Sequence, residues 1–266
     1  MPIRRKGITM PTVTDPIGHI KTVVLPALFE DPTRIGEYGA HKDTKGNIDQ
    51  LSTLMEGGSV SRLAGIIEEI LRKMTDASPE RIAKPAGWLT RMLGGELERT
   101  TRYHMARKTL EELLSDAEAK AQGVRDTINS INRLIATHAE SVQHLQDHIT
   151  AGRAYLEENP EAGAVASSIM EFDRPRERLA RKLANLATLL ASHELSISQM
   201  KLSRAQAVDL LDRFSETVSV LVPVWRQHTL TLITSKAISP ALVAQASSAH
   251  QALMQSLAAS LKEQQH

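Results

Sequence analysis

The stretch that decides the fold is LEELLSDAEAKAQGVRDTINSINRLIATHAESVQHLQDHI, residues 110–149. Its apolar residues recur alternately three and four apart, from Leu110, Leu114, Ala117, Ala121 and Val124 to Val142, Leu145 and Ile149, with His138 in phase. A 3.5-residue repeat sustained over that many turns keeps one narrow stripe against a partner helix, which is what a coiled coil requires. A second seam runs Leu179, Leu183, Leu186, Leu190, His193, Ile197, Met200, Arg204, Ala207, Leu211, Phe214, Val218, Leu221, Trp225, His228, Leu232. Chain invested in rods gives reach rather than an enclosed cleft, so the pattern argues against a conventional enzyme.

Between Glu96 and Glu158 there is no proline, and the only glycines are Gly123 and Gly152. About 60 residues at 1.5 Å each predict a helix of roughly 90 Å. Asn159-Pro160 ends it, because the residue before a proline is pushed out of helical geometry. Pro175 opens the second long helix, at a position where its missing N–H costs nothing, and this helix runs to about Thr234 with a bend at Pro223. The short connector makes the two helices antiparallel neighbours, with Ile149 facing Leu179, Ile128 facing Met200 and Tyr103 facing Trp225. The expected fold class is therefore all-α: a long antiparallel coiled-coil hairpin, the stalk (96–158 and 175–234), on a helical-bundle base.

The flanks are read as follows. Residues 1–46 are broken by Pro2, Pro11, Pro16, Pro26 and Pro32, which predicts a largely disordered tail with one adhering segment at Ile20–Phe29. Residues 47–95 predict short helices packing on the base. One carries Leu63, Ile66, Ile67, Ile70, Leu71 and Met74 behind a serine cap, and Ser78-Pro79 opens another turn. Ser239-Pro240 caps a last helix, 239–264.

Composition narrows function. Aromatic residues make up only 3% of the chain, as expected where knobs must fit four-residue holes. A formal net charge of +1 with no clustered basic excess argues against nucleic-acid binding. The absence of cysteine excludes thiol redox chemistry, disulfides and thiolate metal sites. No apolar run approaches membrane-spanning length, and Met1–Met10 has no apolar stretch behind Arg4, Arg5 and Lys6, so a cytoplasmic protein is expected.

Three local patterns resemble the toxic-anion-resistance family, the TelA and KlaA proteins associated with tellurite resistance. Val222-Pro223-Val224-Trp225-Arg226-Gln227 resembles that family's aliphatic–proline–aliphatic–tryptophan–basic run. Lys201-Leu202-Ser203-Arg204 is similar to its Leu-Thr-Arg signature, and Ile149-Thr150-Ala151-Gly152 to its Ile-x-Ala-Gly run; Gly87-Trp88-Leu89 resembles its entry to the long helix. The resemblance covers residues 46–266. It departs at Gln227-His228, which replaces an amide pair, and at a shortened last helix. It implies an all-helical protein linked to oxyanion tolerance and envelope stress.

Candidate sites are weighed against plainer roles. Trp88, Tyr103, Ser203, Arg204, Pro223, Trp225 and Arg226 carry the family-like motifs and form the expected working surface of the base. Trp88, Leu89, Met92 and Leu93 serve either as a membrane-interface anchor or as the staple closing the base, and the staple is the favoured reading. Arg174, Arg176, Arg178, Arg181 and Lys182 form an anion or partner patch at the stalk tip, against which stands neutralisation by Glu157, Glu158, Glu161, Glu171 and Asp173. His144 and His148 have metal-ligand spacing but no third ligand, so a solvated face is preferred and no metal or cofactor is expected. His138 and His193 fall in adjacent layers of the seam, where a titrating imidazole can set register or respond to pH; a tolerated, water-lined pair is the plainer role. No phosphate loop, nucleophile elbow or zinc-protease motif is present.

The resulting expectation is a non-enzymatic coiled-coil adaptor of the toxic-anion-resistance type, acting through protein partners, with peripheral membrane contact or homo-oligomerisation compatible and nucleic acid excluded. The alternative is a structural spacer or assembly protein with no anion-related role.

Overall fold

The computed structural model describes residues 15–40, 58–83, 95–163, 174–234 and 240–263. Among these residues every regular element is helical. The chain forms two compact units. Unit 1 comprises residues 1–49 and 133–201, and unit 2 comprises 50–132 and 202–266. Two long helices, α5 (Gly95–Glu158) and α6 (Pro175–Glu216), contribute to both. The end of α5 and the start of α6 fall where Asn159-Pro160 and Pro175 place them, whereas the single helix expected to run on to Thr234 is interrupted after Glu216.

In unit 1, the segment expected to be mostly disordered instead folds over residues 15–40. Helix α1 (Pro16–His19) passes through a π-helical turn, Ile20–Val24, into α2 (Leu25–Glu30), and a 3₁₀ helix spans Pro32–Glu37. Pro16 and Pro32 do not break this segment because they stand at helix starts, next to the caps Asp15 and Asp31, whose carboxylates accept from Gly18 N–H and Thr33 N–H. Burial provides the driving force. Ile20, Leu25, Leu28, Ile35 and Tyr38 join Leu145, Ile149, Ala151, Leu179, Leu183 and Leu186 in one core. At roughly 1.5–3 kcal/mol per fully buried large apolar side chain, that outweighs a poor local propensity. Ile149 and Leu179, expected to face each other, both belong to this core.

In unit 2, α3 (Ser59–Asp76) buries Leu63, Ile67, Ile70 and Met74 along one face. It packs in a core with Tyr103, Leu110, Ala117, Ala121 and Val124 of α5 and Ala207, Leu210 and Phe214 of α6. A short α4 (Pro79–Ala83) follows the Ser78 cap. After α6 come a second π-helical turn, Thr217–Leu221, then α7 (Val222–Thr234) and α8 (Pro240–Glu263). Helices α4, α7 and α8 touch one another. The short helix expected near 47–56 and the segment carrying Trp88 lie outside the described residues.

Both π turns share one cause. Pro26 and Pro223 each stand two residues past the π turn, in Leu25-Pro26 and Val222-Pro223. Proline offers no N–H and its ring clashes with the carbonyl four residues back. Widening the preceding turn resolves the clash: Leu25 N–H bonds to Ile20 O, and Val222 N–H to Thr217 O. At the second turn the extra residue also shifts the seam. Thr217 is buried and Val218 is 39% exposed, the reverse of the expected heptad phase. The Thr217 hydroxyl is satisfied by Arg213 O at 2.8 Å.

Candidate functional site

The unit 2 site is organised by Trp225. Its side chain is fully buried, lies stacked on Tyr103 with ring centroids 5.7 Å apart, and donates from Nε1–H to Ala77 O at 2.8 Å. A buried indole needs that acceptor, since an unpaired N–H away from water costs about 1–3 kcal/mol. The expected facing of Tyr103 and Trp225 is thus present, and the indole also pins the end of α3. Next to it Arg226 reaches Glu111 at 3.3 Å, and the same carboxylate takes Arg107 at 2.7 Å. Hydrogen bonding to Arg107 is the largest influence holding Glu111 below the usual carboxylate range, with the Arg226 charge adding to it.

Pro223 is exposed and lines an open groove of about 620 Å³ with Leu114, Val218, Val222, Arg226 and Gln227. Val220, two residues on from Val218, is 42% exposed. Trp225 and Pro223 therefore split the motif: the tryptophan holds the bundle, and the proline turns aliphatic side chains outward through its π turn. Ser203 is half-buried. Arg204 is exposed, which corrects its expected place in the seam: an always-charged guanidinium is cheaper in water than between packed helices. Trp88 lies outside the described residues. His250, on α8, is buried; burial first, then the neighbouring His228, lowers its pKa, against a backbone interaction with Met74.

In unit 1 most of the basic patch is spent on structure. Arg176 donates to Leu156 O at 2.5 Å and Asn159 O at 2.9 Å, capping the last carbonyls of α5. Lys182 donates to Gly36 O at 2.7 Å, and Arg174 pairs with Glu177 at 3.0 Å. Arg181 is exposed and Arg178 half-buried. The expected neutralisation by Glu158 goes elsewhere, since that carboxylate takes Lys21 at 2.6 Å. The patch does not converge on one anion position, because Arg176 and Lys182 are turned onto backbone carbonyls.

The Ile149-Thr150-Ala151-Gly152 run has a packing role. Ala151 and Gly152 are buried, and a Cβ at Gly152 would stand 2.6 Å from Leu183 Cδ2 and 3.3 Å from the Tyr38 hydroxyl. Tyr38 donates to His148 O at 2.7 Å and places its ring edge-on to the His148 imidazole at 5.1 Å. His144 and His148 have ring centroids 4.1 Å apart and are half-buried, so the solvated face expected for them is in fact covered. Among the described residues no cluster of three or more metal-ligating side chains occurs.

His138 and His193, expected in adjacent layers, meet directly: both are buried, and their Nδ1 atoms are 2.9 Å apart. Burial, and then the His193 charge, lower the His138 pKa. Sequence reasoning missed Tyr38 and Gly39, which sit in the segment read as a tail. A Tyr-Gly pair after a proline-capped turn was the available signal.

The fold and these sites define an all-helical protein whose described residues hold packed motifs and an open groove beside Pro223. The chain is 58% identical over 246 residues to protein KlaA of Escherichia coli, across 92% of this chain and 96% of KlaA. It belongs to the KlaA family. Over 138 residues it is 26% identical to protein KlaB of Escherichia coli, covering 48% of this chain and 36% of KlaB. No family model matches the chain, and no solved structure matches it. Among the described residues no helix is long and apolar enough to cross a membrane.

Proposed function

We propose that this chain is a non-enzymatic helical adaptor that supports tolerance of toxic oxyanions such as tellurite by holding partner proteins. The observation that carries the reading is the Pro223 groove. The run at residues 222–227 spends its tryptophan on the core and exposes Pro223, which lines the groove with the exposed Val218 and Leu230. Exposed aliphatic groups rimmed by Arg226 and Gln227 suit a protein surface with an apolar centre and polar edge. Reduction of the anion by the chain's own thiols is not available, since it has no cysteine.

Deleting the gene in its native host and measuring growth on tellurite tests the reading. The adaptor role predicts heightened sensitivity, restored by the wild-type gene. Unchanged growth would favour the spacer role instead, in which the helices serve assembly and have no connection to anions.

A further inference from the structure

Helix α6 carries a second heptad stripe on its outward face. Ala184, Thr188, Ala191, Leu195, Ser198, Leu202 and Ala205 are spaced alternately four and three apart, and all are exposed. Leu195 is 61% and Leu202 62% exposed. These positions point away from the buried seam that includes Leu186, His193 and Met200. In a solvated helix such positions carry charge, as α5 shows with exposed Glu112, Asp116, Glu118, Asp126, Arg133 and Glu140. Between Ala184 and Gln206 the charged residues of α6 are Glu194, Lys201 and Arg204 alone. The two hydroxyls that punctuate the stripe are turned back on the helix: Thr188 donates to Ala184 O and Ser198 to Glu194 O. What faces outward is a line of methyl and isobutyl groups with small residues between them.

We propose that this face binds a second copy of the same chain, with the two α6 helices antiparallel about a two-fold axis between Ser196 and Ile197. Two independent features select that occupant and register. The first is shape. The axis sets Leu195 against the partner's Ser198 and Leu202 against the partner's Ala191, so each large side chain meets a small one, as interdigitated helices need. The second is charge. Glu194 and Lys201 precede the two leucines by one residue and flank the stripe on the same side. In the antiparallel register Glu194 faces the partner's Lys201, and the pair occurs twice by symmetry. One heptad further out, Ala187 meets the partner's Val208. On the other flank Ser192 faces the partner's Gln199 and Asn185 the partner's Gln206, so no like charges are opposed. A parallel pairing in register would set Glu194 beside the partner's Gln199 and Lys201 beside the partner's Gln206, and would stack Leu195 on Leu195, forfeiting both complementarities.

The test uses the full-length chain. Light scattering after gel filtration predicts twice the 29.2 kDa chain mass. Leu195→Glu removes the dimer while circular dichroism keeps its helicity, because Leu195 is exposed within one chain. Glu194→Lys and Lys201→Glu each weaken the dimer about tenfold or more by opposing like charges, and the double reversal restores it. Because the chain lacks cysteine, Ala191→Cys combined with Leu202→Cys reports the register directly by forming disulfide-linked dimers under mild oxidation. A monomer at every concentration would overturn the proposal. So would a dimer indifferent to Leu195→Glu, a double reversal that fails to restore association, or cross-linking by Ala191→Cys alone, which marks a parallel pair.

Discussion

The Nδ1 atoms of His138 and His193 lie 2.9 Å apart in the interior of unit 1. Two imidazoles at that distance share one proton between ring nitrogens, with one donating and the other accepting. One further proton makes one ring a buried cation that still donates to the other; a second removes the acceptor and leaves two cations in contact.

A pH dependence follows. His138 titrates below its ordinary value of 6.5 in the folded chain, through burial and then the His193 charge. The unfolded chain therefore takes up the proton first as pH falls, and stability drops below about pH 6.5 with a slope of up to about 1.4 kcal/mol per pH unit per proton. Denaturant midpoints at pH 7.5 and 5.5 measure it. Replacing both residues (His138→Leu with His193→Leu) should shrink the difference in unit 1, and His250 in unit 2, shifted the same way, should keep its own share. An unchanged pH difference in the double variant would show that the pair is not responsible.

Trp225→Ala should cost about 3–5 kcal/mol, the range for emptying a packed aromatic site. It removes the Tyr103 stack and the bond to Ala77 O. Hydrogen exchange should rise across α4, α7 and the end of α3 and stay unchanged around Leu145 and Leu179. Equal loss in both regions would make the chain one cooperative unit.

Gly39 has φ +66, and a Cβ there would stand 2.7 Å from Leu186 Cδ1. Gly39→Ala should therefore destabilise unit 1 by about 1–2 kcal/mol from backbone conformation alone, with the added crowding on top. Thermal melts with Gly36→Ala as the control test this, because a Cβ at Gly36 meets nothing within 4 Å. Equal melting temperatures would show that residues 15–40 contribute nothing to the core.

Arg176→Lys should weaken the closure of α5, because an ammonium cannot reach both Leu156 O and Asn159 O as the planar guanidinium does. Faster amide exchange near Tyr155–Asn159 is the expected signature. Unchanged exchange would return Arg176 to the role of a free anion contact.

The long helices were legible because a 3.5-residue repeat between prolines leaves few alternatives, and the Tyr103–Trp225 facing followed from antiparallel pairing. Residues 15–40 were not legible, since their prolines read as breakers until Asp15, Asp31 and the core they complete are seen. The phase at Val218 was lost for a similar reason. A heptad count cannot register the extra residue that Pro223 forces into the turn before it. Arg176 and Lys182 looked like an open patch because sequence shows charge but not the carbonyls that charge caps.

The adaptor reading is tested most directly by separating fold from surface at Val218. A deletion strain carrying Val218→Glu should remain as tellurite-sensitive as the empty deletion, while the purified variant keeps wild-type helicity and melting temperature, because Val218 is already 39% exposed. Full restoration of tolerance by that variant would contradict the account, since the groove would then have no part in the function.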